Sequence, residues 1–220
     1  MQHIPCERRR STVPANKQKM NTITEKYILG LKKAYYDNNA REAWEHFANI
    51  KHEASKADIE NIRQLFPEIP DALVGLLEYV DGTYWREYAG EKISFYFLGS
   101  DVEEYPYYLL SSNEIIDNQN QAIEYYSSYI EREYEEVEAD DKIGNEVEAI
   151  RWLHFSDCMN NGGTSQLFID FSPSSKGIKG QIVRFLHDPD EFKVIANSFE
   201  EYLEELMNNQ YDFINDNVLD

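Results

Sequence analysis

Four apolar runs crowd the stretch from Ala149 to Ser198: "AIRWLHFSD", "SQLFIDFS", "GQIVRFLHD" and "FKVIANS". Each is short, rich in β-branched and aromatic residues, and set off from the next by turn formers, which is the pattern of closely spaced strands. Parallel neighbours need long crossovers, so a mostly antiparallel sheet is expected here. In "SQLFIDFS", alternation puts Phe168 and Asp170 on one face and Leu167, Ile169 and Phe171 on the other. "SFEEYLEELMNN" follows as a helix, with Ser198 as its cap and Glu201 three residues on.

Helical spacing governs the first third of the chain. Ile23, Tyr27, Ile28, Leu31 and Tyr35 mark one helix and "AREAWEHFANI" a second. Ile59, Ile62, Leu65 and Phe66 mark a third, which opens at Ser55. Pro67 and Pro70 end that helix and start another at Asp71, which stops at Asp81-Gly82. "YWREYAGEKISFYFLGS" reads as strands around Gly90, and "YPYYLLSS" as a further strand or strand edge. From Asn113, the spacing of Ile116, Ile123, Tyr126, Ile130, Tyr134 and Val137 predicts one long helix, broken at "ADDKIGNE".

The fold class is therefore α+β, a mostly antiparallel sheet flanked by N-terminal helices and a C-terminal helix. The expected organisation begins with a disordered basic leader over 1–19 and a helical extension over 20–54. An α+β domain over 55–208 follows, with an acidic helical insertion at 113–148, and then an acidic C-terminal tail over 209–220. Met20 opens what reads as a second natural start.

Charge narrows the partners. With 21 basic against 41 acidic residues, the net charge is −20. Phosphate binding needs clustered Lys and Arg, so no nucleic-acid partner is expected. Anionic membranes are disfavoured in the same way, and there is no apolar run of spanning length. The two cysteines, Cys6 and Cys158, make no disulfide framework, and the leader lacks the apolar centre of a secretory signal. A cytoplasmic protein is expected.

Residues capable of chemistry are present without a motif to organise them. His187, Asp188, Asp190 and Glu191 in "HDPDE", joined by Asp170, could ligate a cation for a metal-dependent hydrolase. Their spacing matches neither an EF-hand nor H-E-x-x-H, and a polar turn after a strand accounts for them equally. There is no G-x-S-x-G and no phosphate loop. His154 and Cys158 are expected in a loop, where sequence proximity does not align a base with a thiol. Asp170 suits a hydrogen bond to the turn that follows it, with Gly177 and Gly180 allowing a tight connection. No catalytic residue, cofactor or metal is assigned.

An ordered set of segments carries a resemblance: "LFPEIPDALVGLLEYVDG", "WLHFSDCMNNGGTSQLFIDFSP", "GIKGQIVRFLHD" and "VIANSFEEYLEEL". Together they resemble the SUKH superfamily, the Smi/Knr-type domain, over about residues 55 to 208. The matching positions are Pro70, Gly82, Trp152, Gly162, Gly163, Asp170, Gly180, Gln181, Ser198 and Phe199. The resemblance implies an α+β fold without enzyme activity. Bacterial members act as immunity proteins that neutralise toxin domains, often nucleases, and fungal members regulate cell-wall synthesis. The expected partner is thus a basic cognate toxin; the alternative is a regulatory interaction module of the same fold. The insertion at 113–148 and the helices before 55 depart from the pattern.

The acidic insertion is the candidate interface. Residues 101–150 hold fifteen acids against Arg132 and Lys142. Glu131, Glu135 and Glu138 are expected near one helix face, at a small cost from like-charge repulsion and the helix dipole. A basic partner would turn that cost into complementarity, whereas the plain alternative is a solvated face. Glu124, Tyr125 and Tyr129 are expected beside these acids at the surface, with Tyr126 and Tyr134 on the apolar stripe. Tyr84, Trp85 and Tyr88 form a second candidate patch, although a tryptophan is more often core.

Overall fold

The computed structural model describes residues 22–102, 105–160, 163–215 and Leu219. The expected basic leader, with Cys6, and Gly162 lie outside the described residues. Four helices come first: α1 (Thr22–Asp37), α2 (Arg41–Ile50), α3 (Lys56–Leu65) and α4 (Asp71–Tyr79). A small ribbon follows, β1 (Arg86–Tyr88) and β2 (Glu91–Ile93), then β3 (Tyr108–Leu109), α5 (Ser112–Asp117), α6 (Gln121–Ile130) and β4 (Glu138–Ala139). A 3-10 turn at Val147–Ala149 leads into β5 (Trp152–Asn160), β6 (Gly163–Asp170), β7 (Gln181–Leu186) and β8 (Glu191–Ala196), and α7 (Phe199–Asn208) closes the set.

The main sheet has the order β3-β5-β6-β7-β8-β4. Its centre is the antiparallel meander predicted from the four apolar runs. Only β4 runs parallel to its neighbour, β8. Both edge strands are two residues long, which leaves little unpaired backbone to recruit another chain.

Each face of the sheet buries its own core. Leu153, Phe155, Leu167, Ile169 and Ile182 face α1, α4 and α7 in the larger one. Trp152, Phe168, Val183, Phe185 and Phe192 form the smaller one with Ala122 and Ile130 of α6 and with Val137, Ile143 and Ile150. Phe168 and the other β6 residues thus divide between the faces as strand alternation requires. The six residues from Ala72 to Leu77 in α4 are all buried, because this helix is apolar on every side. Past its end, Asp81 accepts bonds from Ser112 N (2.8 Å) and Ser112 Oγ (2.7 Å). Gly82 lies between them at φ +84°, where a Cβ would come within 2.7 Å of Ser111 N. Only glycine fits that approach.

The predicted long helix from Asn113 to Glu138 does not form. A capping box between Ser111 and Glu114 starts α5, which ends at Asp117. The second helix, α6, stops at Ile130 in a Schellman motif: Arg132 N donates to Tyr129 O (3.1 Å) and Glu133 N to Ser128 O (3.0 Å). Arg132 occupies the left-handed position at φ +61°. Continuing the helix would have stacked Glu131, Glu133, Glu135 and Glu136 at its negative end, which the macrodipole opposes. Residues past α7, expected as an acidic tail, turn back instead. Tyr211, Phe213 and Ile214 are buried, and the Tyr211 hydroxyl donates to Tyr27 O (2.8 Å).

Candidate interaction surface

On α6, adjacent residues face opposite ways. The Tyr126 ring packs 4.4 Å from that of Phe185, and its hydroxyl donates to Gln166 Oε1 (2.7 Å). Tyr125, one residue earlier, is 68% exposed beside the exposed Glu124. Past the Schellman turn, Glu131, Glu133, Glu135 and Glu136 are exposed, as is Glu138 on β4. None of these six carboxylates has an ion-pair partner among the described residues. The one cation within the segment turns inward. The Arg132 guanidinium donates to Ile130 O (2.6 Å), Asp140 O (3.2 Å) and Ile143 O (3.3 Å), and burial lowers its pKa. The outward face from Glu124 to Glu138 is therefore purely anionic.

Several side chains differ from expectation. Glu131 and Glu135 stand on turns and Glu138 on a strand, not on a shared helix face, because the helix has already ended. For the same reason Tyr134 leaves the apolar stripe and is 46% exposed. Tyr129, expected at the surface, is half-buried against Phe185 and Phe192. A hydrogen bond to Asp190 raises the pKa of its hydroxyl.

Trp85 is not core. It is 63% exposed at φ +49°, an uncommon conformation for a bulky residue. The ribbon beyond it turns through Ala89 and Gly90, both at positive φ as a two-residue hairpin demands. Tyr84 meets the Trp85 ring edge-on at 6.1 Å and lies 4.5 Å from Tyr108 of β3. Since β3 and β4 are opposite edges of the sheet, the Tyr84–Trp85 patch and Glu138 are kept apart.

The residues read as possible chemistry are also dispersed. Asp170 pairs with Gln181 at the start of β7, whereas His187 follows its end, about 20 Å away at 3.3 Å per residue. The remaining groups are engaged locally: His187 Nδ1 with Asp190 Oδ1 (3.1 Å), and Glu191 Oε2 with Arg184 Nη2 (2.6 Å). Among the described residues, no group of three or more His, Cys, Asp or Glu is placed to hold a metal ion. His154 and Cys158 lie on strand β5, not in a loop, and belong to opposite faces. Burial pushes the Cys158 thiol up to about 12. Two shallow grooves, of about 310 Å³ at Ser100 and Glu205 and about 450 Å³ at Phe66 and Arg151, contain none of these groups.

Sequence reading missed one constellation. A register shift between His154 and Ser156 turns Asp157 onto the face of His154, so His154 Nε2 lies 2.7 Å from Asp157 Oδ1. No residue type in "WLHFSD" announces a bulge, and simple alternation would have placed the two on opposite faces.

Among the described residues, several of the resembling positions stand at caps, turns and core sites. Pro70 caps α4, and Trp152 and Phe199 are buried. Gly163 pairs with Asn160 across the β5–β6 hairpin, and Gly180, at φ +90°, donates its N–H to Asp170 O (2.7 Å). Ser198 Oγ accepts from Glu201 N (3.1 Å) to start α7. Among the described residues, no helix is long and apolar enough to cross a membrane. No curated protein matches the chain. The family model described as the SMI1 / KNR4 family (SUKH-1) matches residues 53–205, well over half of the chain, and the chain therefore belongs to that family.

Proposed function

We propose that this protein is a cytoplasmic immunity protein that neutralises a basic toxin domain, a nuclease by preference, through one-to-one binding and without catalysis. The observation that carries this reading is the face from Glu124 to Glu138, where six exposed carboxylates have no ion partner among the described residues and the local arginine is turned inward. A nuclease needs a basic cleft to hold phosphates. An anionic surface can occupy that cleft and exclude the substrate, with Tyr125 and Tyr134 adding contact area between the charges. Complementary charge also speeds encounter.

The test is calorimetric titration into the catalytically disabled C-terminal domain encoded by the neighbouring gene. The expected result is sub-micromolar one-to-one binding that weakens with salt. Reversal of Glu131, Glu135 and Glu138 to lysine should weaken it by tenfold or more, about 1.4 kcal/mol, with the fold retained. Equal affinity for the triple variant rules out the acidic face as the interface. Absence of binding at any salt removes that toxin as the partner and favours a regulatory module acting on a different basic protein.

A further inference from the structure

A line of polar groups, buried at His154 and Gln166 and half-buried at Asn118, Asp157 and Tyr126, runs between α6 and the second face of the sheet. Asn118, which ends α5, directs its side-chain nitrogen at His154 Nδ1 (3.2 Å). His154 Nε2 meets Asp157 Oδ1 (2.7 Å), and Gln166 Nε2 donates to that same oxygen (3.1 Å). The Tyr126 hydroxyl of α6 completes the line by donating to Gln166 Oε1 (2.7 Å). His154 is 1% exposed and Gln166 4% exposed.

Neighbours fix the protons in this line. A carboxylate only accepts, so His154 Nε2 carries a hydrogen. An amide nitrogen only donates, so with Asn118 turned as it is, Nδ1 is placed to accept from it. A second proton, on Nδ1, would face N–H groups with no acceptor. The Nε2–Asp157 bond would meanwhile become one between opposite charges and hold the ring in place.

We infer that His154 is a proton-operated clasp on the α5–α6 elbow: protonation at Nδ1 expels Asn118 and loosens α6 from the sheet. The ionisable groups around the clasp are Asp157 on β5, Tyr126 on α6, Asp190 after β7, whose charge reaches the Tyr126 hydroxyl, and the exposed Asp117 beside Asn118. Strand β6 supplies the uncharged Gln166 and Phe168. Glu124 and Tyr125 ride on α6, so the clasp would control how they are presented. The inference concerns the helix itself, and its failure leaves the proposed binding role untouched.

Amide hydrogen exchange of the full chain at pH 7.5 and pH 5.5, corrected for intrinsic exchange, tests it. The expected result is roughly tenfold loss of protection in α5 and α6 relative to β7 on going from pH 7.5 to pH 5.5. Asn118→Asp supplies an acceptor for Nδ1–H and should keep α6 protected at pH 5.5. His154→Gln has nothing to protonate and should make α6 protection independent of pH. Equal behaviour of α6 and β7 in the parent overturns the clasp; that is also the result if Asn118 simply turns its carbonyl to the ring. Acid loosening that persists in His154→Gln overturns it as well.

Discussion

Asp170 ends β6 fully buried, and three donors converge on it: Ser172 N (2.7 Å) and Ser172 Oγ (3.2 Å) on one oxygen, Gln181 Nε2 (2.9 Å) on the other. Burial pushes its pKa up and the donors pull it down; burial is the larger effect, and the carboxyl lies above its ordinary range. A raised folded pKa means that the folded state takes up this proton before the unfolded chain does. Ionised Asp170 therefore costs stability at neutral pH, and the cost is relieved as pH falls through the raised value towards the unfolded value of about 3.9. Relative to Asp170→Asn, which has no such titration, the parent should gain stability between pH 7 and pH 4. Urea unfolding at both pH values measures this, and a relative loss on acidification would show that the donors outweigh burial. The bond from Asp170 to its following turn was legible in the sequence. Its bond to Gln181 was not, because strand register depends on how the nine residues from Phe171 to Lys179 fold back before Gly180.

Among the elements, α6 and the turn after it show where periodicity misleads. Apolar residues continue at helical spacing to Val137, and Val137 is indeed buried, but as part of a turn. The apolar pattern records burial, while helix ends are set by local carbonyl satisfaction and charge. Arg132 supplies both here, adopting the left-handed position and bonding three carbonyls. Arg132→Ala keeps the strained φ and loses the bonds, so it should destabilise the region by about 1–3 kcal/mol. Arg132→Gly loses the same bonds but relieves about 1 kcal/mol of backbone cost. Amide exchange should rise over residues 131–143 in both variants, more in the alanine, with β6 and β7 unchanged. Equal exchange in the two would mean that φ carries no cost at this position. The exposure of the acids themselves was legible, because a run of carboxylates with no local cations has nowhere to go but water.

At the scale of the molecule, the family match over 53–205 and the folded unit are not the same length. Helical spacing showed that α1 has an apolar face but could not say what that face covers, so the helices before 55 read as an extension. In the structure, Tyr27, Leu31, Tyr35, Trp44 and Phe47 are part of the larger core. The Tyr27 hydroxyl donates to Phe97 O (2.7 Å) and the Tyr35 hydroxyl to Tyr96 O (2.7 Å), and the Tyr35 and Phe47 rings stack on Phe95. From the other end of the chain, the Phe213 ring closes over Gly99. A fragment of residues 53–205 loses all of these, five buried aromatic or leucine side chains from α1 and α2 plus the Tyr211–Ile214 cover. At roughly 1.5–3 kcal/mol per large apolar side chain, the loss equals or exceeds the 5–15 kcal/mol by which ordinary domains are stable. The fragment should therefore keep helical far-UV dichroism, lose its near-UV aromatic signal, bind a hydrophobic dye and unfold without cooperativity. The full chain should share the helical signal, keep a native near-UV spectrum, leave the dye unbound and unfold cooperatively. A fragment with a native near-UV spectrum and a sharp unfolding transition would mean that the sheet, α3, α4 and the stub of α7 hold the larger core closed without the first two helices.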